Sequence, residues 1–88
     1  MLTIKNLNFI KTCDCCPEQY DVLNQDDEQV GYVRLRYGFL RCDYPNVGGE
    51  TIYTYDFEDD YLGQFPDADR EKHLNIIADK IIEKINMV

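Results

Sequence analysis

The chain has 88 residues, with nine Lys or Arg against seventeen Asp or Glu, for a net charge of −8. That excess of acid argues against nucleic acid or an anionic membrane as a direct ligand, since both demand surplus Lys and Arg. The length fits one domain spanning residues 1–88, and so short a chain has little material for both a core and a deep catalytic cleft, which favours binding over catalysis.

A hydrophobic share of 44%, with seven Tyr and four Phe, is enough to build a folded core. The longest unbroken apolar runs are two or three residues. A membrane span needs ~20, and the stretch from Met1 to Phe9 lacks the apolar run of a secretory leader. The expectation is a cytoplasmic chain with reduced cysteines.

In chain order, residues from about Leu7 to Thr12 read as a first strand, followed by Cys13-Asp-Cys-Cys16-Pro17. Tyr20 to Asn24, the polar cluster Gln25 to Glu28, and Gln29 to Val33 form a strand–turn–strand pattern. Between Val30 and Tyr44 the apolar positions change parity. Val33, Leu35 and Tyr37 are odd, whereas Leu40, Cys42 and Tyr44 are even. Strand side chains alternate faces strictly, so the phase must change at Gly38. A two-residue turn at Tyr37-Gly38 does this, placing Val33 opposite Cys42, Leu35 opposite Leu40 and Arg34 opposite Arg41. A glycine bulge in one long strand is the alternative. Pro45 to Gly49 is a loop, and the β-branched and aromatic run from Thr51 to Phe57 is a further strand.

Seven of the seventeen carboxylates fall between Asp56 and Glu71, where Arg70 is the lone base. Beyond them Leu74, Ile77, Ala78, Ile81, Ile82 and Ile85 mark one helical stripe. Asp67 is the expected N-cap of a helix of about nineteen residues, ~28 Å long at 1.5 Å per residue. The predicted fold is α+β: an antiparallel β-meander of about four to five strands with one C-terminal amphipathic helix packed on one face.

Three short motifs carry a family resemblance: Cys16-Pro-Glu-Gln-Tyr20; Gly31-Tyr32 with Leu35-Arg36 and Gly38; and Gly48-Gly-Glu50 with Ile52-Tyr53. Over roughly residues 10 to 75 the chain resembles small uncharacterised proteins of phages, prophages and related mobile elements of Gram-positive bacteria. That resemblance implies a mobile-element origin and a bacterial cytoplasm, and it transfers no active site.

Four constellations bear on chemistry. Cys13 and Cys16 have the two-residue gap of a zinc pair, and Cys42 could supply a third thiolate, but a fourth ligand is missing; the competing reading is small buried apolar residues. A thioredoxin-like role fails because no helix follows the pair, and His73, about 110° from the centre of the helical stripe, has no orienting third group for a cysteine nucleophile. Asp56, Glu58, Asp60, Leu62, Gln64 and Asp67 match an EF-hand count, yet Tyr61 stands where glycine is needed and a strand precedes the loop. Arg34, Arg36 and Arg41 share the sheet face away from the helix and should recruit carboxylates, with Asp43 at hand, or await an external anion.

The sequence therefore points to a non-enzymatic interaction module without a cofactor, binding a host or element protein. Asp56, Glu58, Asp59 and Asp60 supply steering charge, Tyr61 and Phe65 act as anchors, and Arg34, Arg36 and Arg41 form a second surface. One version is an inhibitor occupying a basic nucleic-acid-handling protein, although the three arginines break the uniform negative surface that mimicry needs. The alternative from another class is a small zinc-binding domain built on Cys13, Cys16 and Cys42.

Overall fold

The computed structural model describes residues 2–13 and 17–87. Six strands, β1 (Leu2–Ile4), β2 (Leu7–Lys11), β3 (Glu18–Leu23), β4 (Gln29–Arg36), β5 (Phe39–Tyr44) and β6 (Glu50–Asp56), precede one helix, α1 (Asp67–Asn86). Each strand pairs antiparallel with its chain neighbour, so the sheet order is β1-β2-β3-β4-β5-β6. The α+β meander with a C-terminal helix is as the sequence reads, with more strands than the expected four to five. The short β1 carries little sequence signal because its turn, Lys5-Asn6, lacks glycine, although both residues take positive φ (52° and 67°) as a tight hairpin turn requires.

The parity switch at Gly38 is a two-residue turn. Tyr37 and Gly38 take φ of 53° and 74°, and the register pairs Val33 with Cys42, Arg34 with Arg41 and Leu35 with Leu40. Positive φ at both central positions is the type I′ geometry that matches strand twist. The β3–β4 turn is organised by the Asn24 side chain, which accepts hydrogen bonds from the Asp26 and Glu28 amides at 2.9 Å each.

Register assigns the faces. Phe9, Tyr20, Val22, Val33, Leu35, Leu40 and Cys42 point towards α1 and are buried with Leu74, Ile77, Ala78 and Ile81. Ile82 and Ile85 are only half-buried, so the stripe fades towards the helix end. Among the described residues no element packs on the opposite face, which carries Arg34, Arg36, Phe39 and Arg41. Asp67 is not the N-cap. Pro66 holds that position without a side-chain cap, and the Asp67 carboxylate instead accepts from Arg70 Nη1 at 2.6 Å. α1 is not apolar enough to cross a membrane.

Gly31 leaves no room for a side chain between sheet and helix. A Cβ there would stand 2.7 Å from Cδ1 of the fully buried Ile81 and 3.3 Å from Cβ of Val22. Overpacking a core position costs typically 1–3 kcal/mol. Gly31→Ala should destabilise the fold by about that much. Ile81→Val removes the clashing methyl and alone should cost ~0.5–1.5 kcal/mol. The double variant should be more stable than the sum of the two losses predicts, as measured by urea unfolding; simple additivity would mean that the helix is not held against Gly31.

Candidate docking surface

The segment between β6 and α1 is tied across one end of the sheet by the backbone. Phe57 N–H donates to the Gly38 carbonyl (2.8 Å), Gly38 N–H donates to the Leu62 carbonyl (2.7 Å), and Glu18 N–H donates to the Gly63 carbonyl (2.7 Å). Gly38 has no room for a side chain, since a Cβ would lie 2.0 Å from the Asp59 carbonyl oxygen. The acidic loop is therefore seated on the β4–β5 turn.

An ion pair between buried Glu18 and half-buried Arg70 locks this seat. Glu18 is fully buried and accepts from Arg70 Nε (2.8 Å), Arg70 Nη2 (3.1 Å), the Phe65 amide (2.9 Å) and the Tyr20 hydroxyl. Arg70 Nη2 also donates to the Phe65 carbonyl at 3.2 Å. Burial by itself would raise the Glu18 pKa; the bonds from Arg70, Tyr20 and Phe65 outweigh it and hold the carboxyl below its ordinary range. Burial, then the hydrogen bond to Glu18, pushes the Tyr20 hydroxyl up.

Phe65 is consequently not a docking anchor. It is only 3% exposed and packs against Phe57 and His73 with centroids 6.1 and 6.0 Å away. His73, on the flank of the helical stripe, is likewise buried. Its Nδ1 lies 3.1 Å from the Tyr53 hydroxyl, and Tyr55 and Phe57 close around the ring at 4.5 and 5.1 Å. Burial, with Lys72 nearby, lowers its pKa.

What the loop exposes is the acid and Tyr61. Asp56, Glu58, Asp59 and Asp60 are all exposed, and Tyr61 is 97% exposed. Two of these carboxylates also fold the loop: Asp56 Oδ1 accepts from the Glu58 amide (2.8 Å) and Asp59 Oδ1 from the Tyr61 amide (3.1 Å). Tyr61 lines a shallow hollow of about 260 Å³ with Pro17, Arg36, Tyr37 and Gly63. A second hollow of about 260 Å³ lies among Arg34, Arg36, Tyr37, Phe39 and Arg41. The two surfaces inferred separately from the sequence are thus contiguous, meeting at Arg36 and Tyr37.

Sequence reasoning missed the rings in the middle. Tyr37 is 69% and Phe39 47% exposed, and the Arg36 guanidinium lies 5.0 Å from the Tyr37 ring centroid. Their flanking of Gly38 was the available signal, because a turn projects its neighbours outward. Arg41 Nε sits 3.4 Å from Asp43 Oδ1, an ion pair without hydrogen-bond geometry, while Arg34 and Arg36 form no ion pair among the described residues. Asp43 is itself buried and engaged by Thr51 Oγ1 (2.8 Å).

Cys13 and Cys42, the cysteines among the described residues, do not gather. Cys16 lies outside the described residues. Cys42 is fully buried on β5, three strand spacings from β2, whose end leads to Cys13, or about 14 Å across the sheet. Burial, reinforced by the Asp43 charge, pushes the Cys42 thiol up to about 12, the opposite of what a thiolate ligand needs. Among the described residues no group of three or more His, Cys, Asp or Glu could hold a metal ion. A concavity of about 510 Å³ between β1 and the start of α1 has Lys5, Asp67 and Arg70 among its lining residues. All three are already engaged, Lys5 by Asp79. Compared with family models, curated proteins and solved structures, the chain finds no match.

Removing Arg70 leaves Glu18 buried without its counter-charge, held only by the Phe65 amide and the Tyr20 hydroxyl, so Arg70→Met should cost about 3–5 kcal/mol. Glu18→Leu with Arg70→Met should recover much of that loss in chemical denaturation, because no orphaned charge remains. An equal loss in both variants would show that the pair acts through packing alone.

The sign of the pH response follows from His73. Its folded pKa lies below the ordinary 6.5, so the unfolded chain binds more protons once pH drops below that value. Native stability relative to a His73→Phe variant should be constant above pH 6.5 and fall as pH decreases below it. Glu18, lowered from 4.5, adds a further loss below that pH in both proteins. A pH-independent difference in melting midpoint would mean that His73 protonates equally well in the folded state.

Proposed function

We propose that this chain is a non-enzymatic docking module that grips a protein partner with the sheet end where the acidic loop crosses the β4–β5 turn. The observation that carries this reading is three exposed rings, Tyr37, Phe39 and Tyr61, around Arg36 and beside Asp56, Glu58, Asp59 and Asp60. Aromatics and arginine are the residue types that concentrate binding energy, while exposed charges mainly set the encounter rate. Tyr37 adds weight. A bulky residue at positive φ is conformationally costly where Asn or Gly would fit the turn freely, which favours a use for its ring.

The partner is a protein with a basic surface, from the bacterial host or from the mobile element itself. Support for a role without catalysis comes from Glu18, Tyr20, Cys42 and His73. Their ionisation is displaced, yet all four are buried in structural contacts instead of lining a cleft.

Glu58→Lys with Asp60→Lys reverses charge without touching the two carboxylates that fold the loop. Stability should shift by less than ~0.5 kcal/mol, as for ordinary surface changes. Association with a partner captured from bacterial lysate should slow, and the difference should shrink as salt shortens the Debye length from ~10 Å at 0.1 M to ~3 Å at 1 M. Tyr61→Ala should instead speed dissociation. Unchanged association and dissociation rates in surface plasmon resonance would leave the loop a solubilising one.

A further inference from the structure

The two edges of the sheet are protected very differently. β1 is three residues long, and very short edge strands are a common way to prevent unwanted pairing. β6 has seven residues, Glu50-Thr-Ile-Tyr-Thr-Tyr-Asp56, with mostly exposed or half-buried side chains. Its interior contains no charge, no proline and no glycine, and it is built from the residue types that favour strands. Charge stands only at its ends. Such an edge is a template for another strand.

Register shows which backbone groups are free. The Tyr37-Gly38 turn closes on the Arg36–Phe39 pair, which exchanges hydrogen bonds; the alternate β5 residues Leu40 and Cys42 therefore turn their backbone to β6. Leu40 pairs with Tyr55 and Cys42 with Tyr53, so the N–H and C=O of Thr54 and Asp56 point away from the sheet. Beside this edge lies a groove of about 260 Å³ between β6 and the end of α1, with Ile52 and Met87 among a rim of Glu50, Lys80, Glu83 and Lys84.

Resting on the docking function proposed above, we infer that β6 is completed by an extended segment of the partner, added antiparallel along Thr54 and Asp56. The segment carries Lys or Arg at its N-terminal end and an apolar residue further along. Charge complementarity selects this occupant. Antiparallel addition brings the N-terminal end of the incoming segment to Asp56, where Glu58, Asp59 and Asp60 follow. Ile52 lies about four residues back, roughly 14 Å at ~3.4 Å per residue, which places the apolar side chain in the groove. Charge also disfavours a second copy of this chain. Each chain brings eight net negative charges, and although Lys84 already pairs with Glu50 at 2.7 Å, two β6 strands paired about Tyr53 would set Asp56 of each beside an edge with no free base.

The probe is a labelled peptide, Lys-Arg-Lys-Thr-Val-Thr-Ile-Thr, with a control in which the three basic residues are Glu. Binding is followed by fluorescence anisotropy, and amide hydrogen exchange of the unmodified chain by NMR. The basic peptide should slow exchange at Thr54 and Asp56, and the acidic control should bind at least about tenfold more weakly, the factor that 1.4 kcal/mol represents. Thr54→Pro deletes an N–H that no ladder bond uses, and proline is tolerated on an edge strand facing solvent. That variant should keep its circular dichroism and melting midpoint while losing the peptide. Unchanged exchange at Thr54 and Asp56 with the peptide bound would overturn the inference, and this readout needs no variant. So would a folded Thr54→Pro chain that binds normally, or a free chain that sediments as a dimer with Thr54 already protected. If the loop variants slow partner association while Thr54 stays unprotected, the docking function stands and strand addition falls. Protection at Thr54 without any effect of the loop variants would retain strand addition and remove the acidic loop from the docking surface.

Discussion

The carboxylate of Glu18 is the point on which the rest of the molecule is hung. It lies on the core side of β3, fully out of water, and its oxygens gather a guanidinium, a backbone amide and a phenol. A charge so placed is tolerable only when its partners are held in good geometry. Here those partners come from three parts of the chain: Tyr20 from the same strand, Phe65 from the connection, and Arg70 from the first turns of α1. Satisfying one buried anion thereby fixes where the helix begins and where the connection must run. The exposed acids ride on this arrangement. Their field is presented from a defined position because a different acid, in the interior, is tied down.

Much of the architecture could be read from the residues. The parity change at Gly38 required a break in phase that a turn or a bulge could supply, since a one-residue slip sends every later side chain to the wrong face, and the structure makes it a turn. The Ile-rich stripe dictated a helix, since only a 3.6-residue period brings those positions together. What could not be read were contacts between segments distant in sequence. Phe65 and Tyr61 look equivalent in an acidic aromatic run, yet one is in the core and the other almost wholly in solvent. The difference is made by the amide of Phe65, which is drawn inward to a residue 47 positions earlier. His73 shows the same limit, because helical angle places it beside the stripe while the aromatic wall of β6 extends far enough to cover it. Glu18 was legible in principle. It shares parity with Tyr20 and Val22, and Arg70 stood out as the lone base among acids. The rule that charges belong outside hid the match.

Charge is sorted along the molecule rather than mixed. The arginines of the central strands lie on the face opposite the helix, and the loop acids lie past the end of the last strand. The two groups stay apart although they are neighbours, because Asp43 already occupies Arg41 and the loop is directed by its own backbone bonds to Gly38 and Glu18. Such sorting costs little in water, where exposed ion pairs contribute no more than about 1 kcal/mol. It leaves that end of the sheet bipolar, with arginines on one face and carboxylates beyond the strand end.

The strictly sequential strand order also bears on how the chain is made. Every strand finds its partner next door, so the sheet can assemble by successive local hairpins with small loop-closure costs. The helix is different: its ion pair to Glu18 spans 52 residues and can close only after α1 has been synthesised. A nascent chain leaving the ribosome therefore displays Phe9, Val22, Val33 and Leu40 as a bare apolar sheet until α1 arrives. For that interval the exposed apolar surface is open to aggregation. Premature termination within α1 would yield an aggregating fragment rather than a smaller working domain.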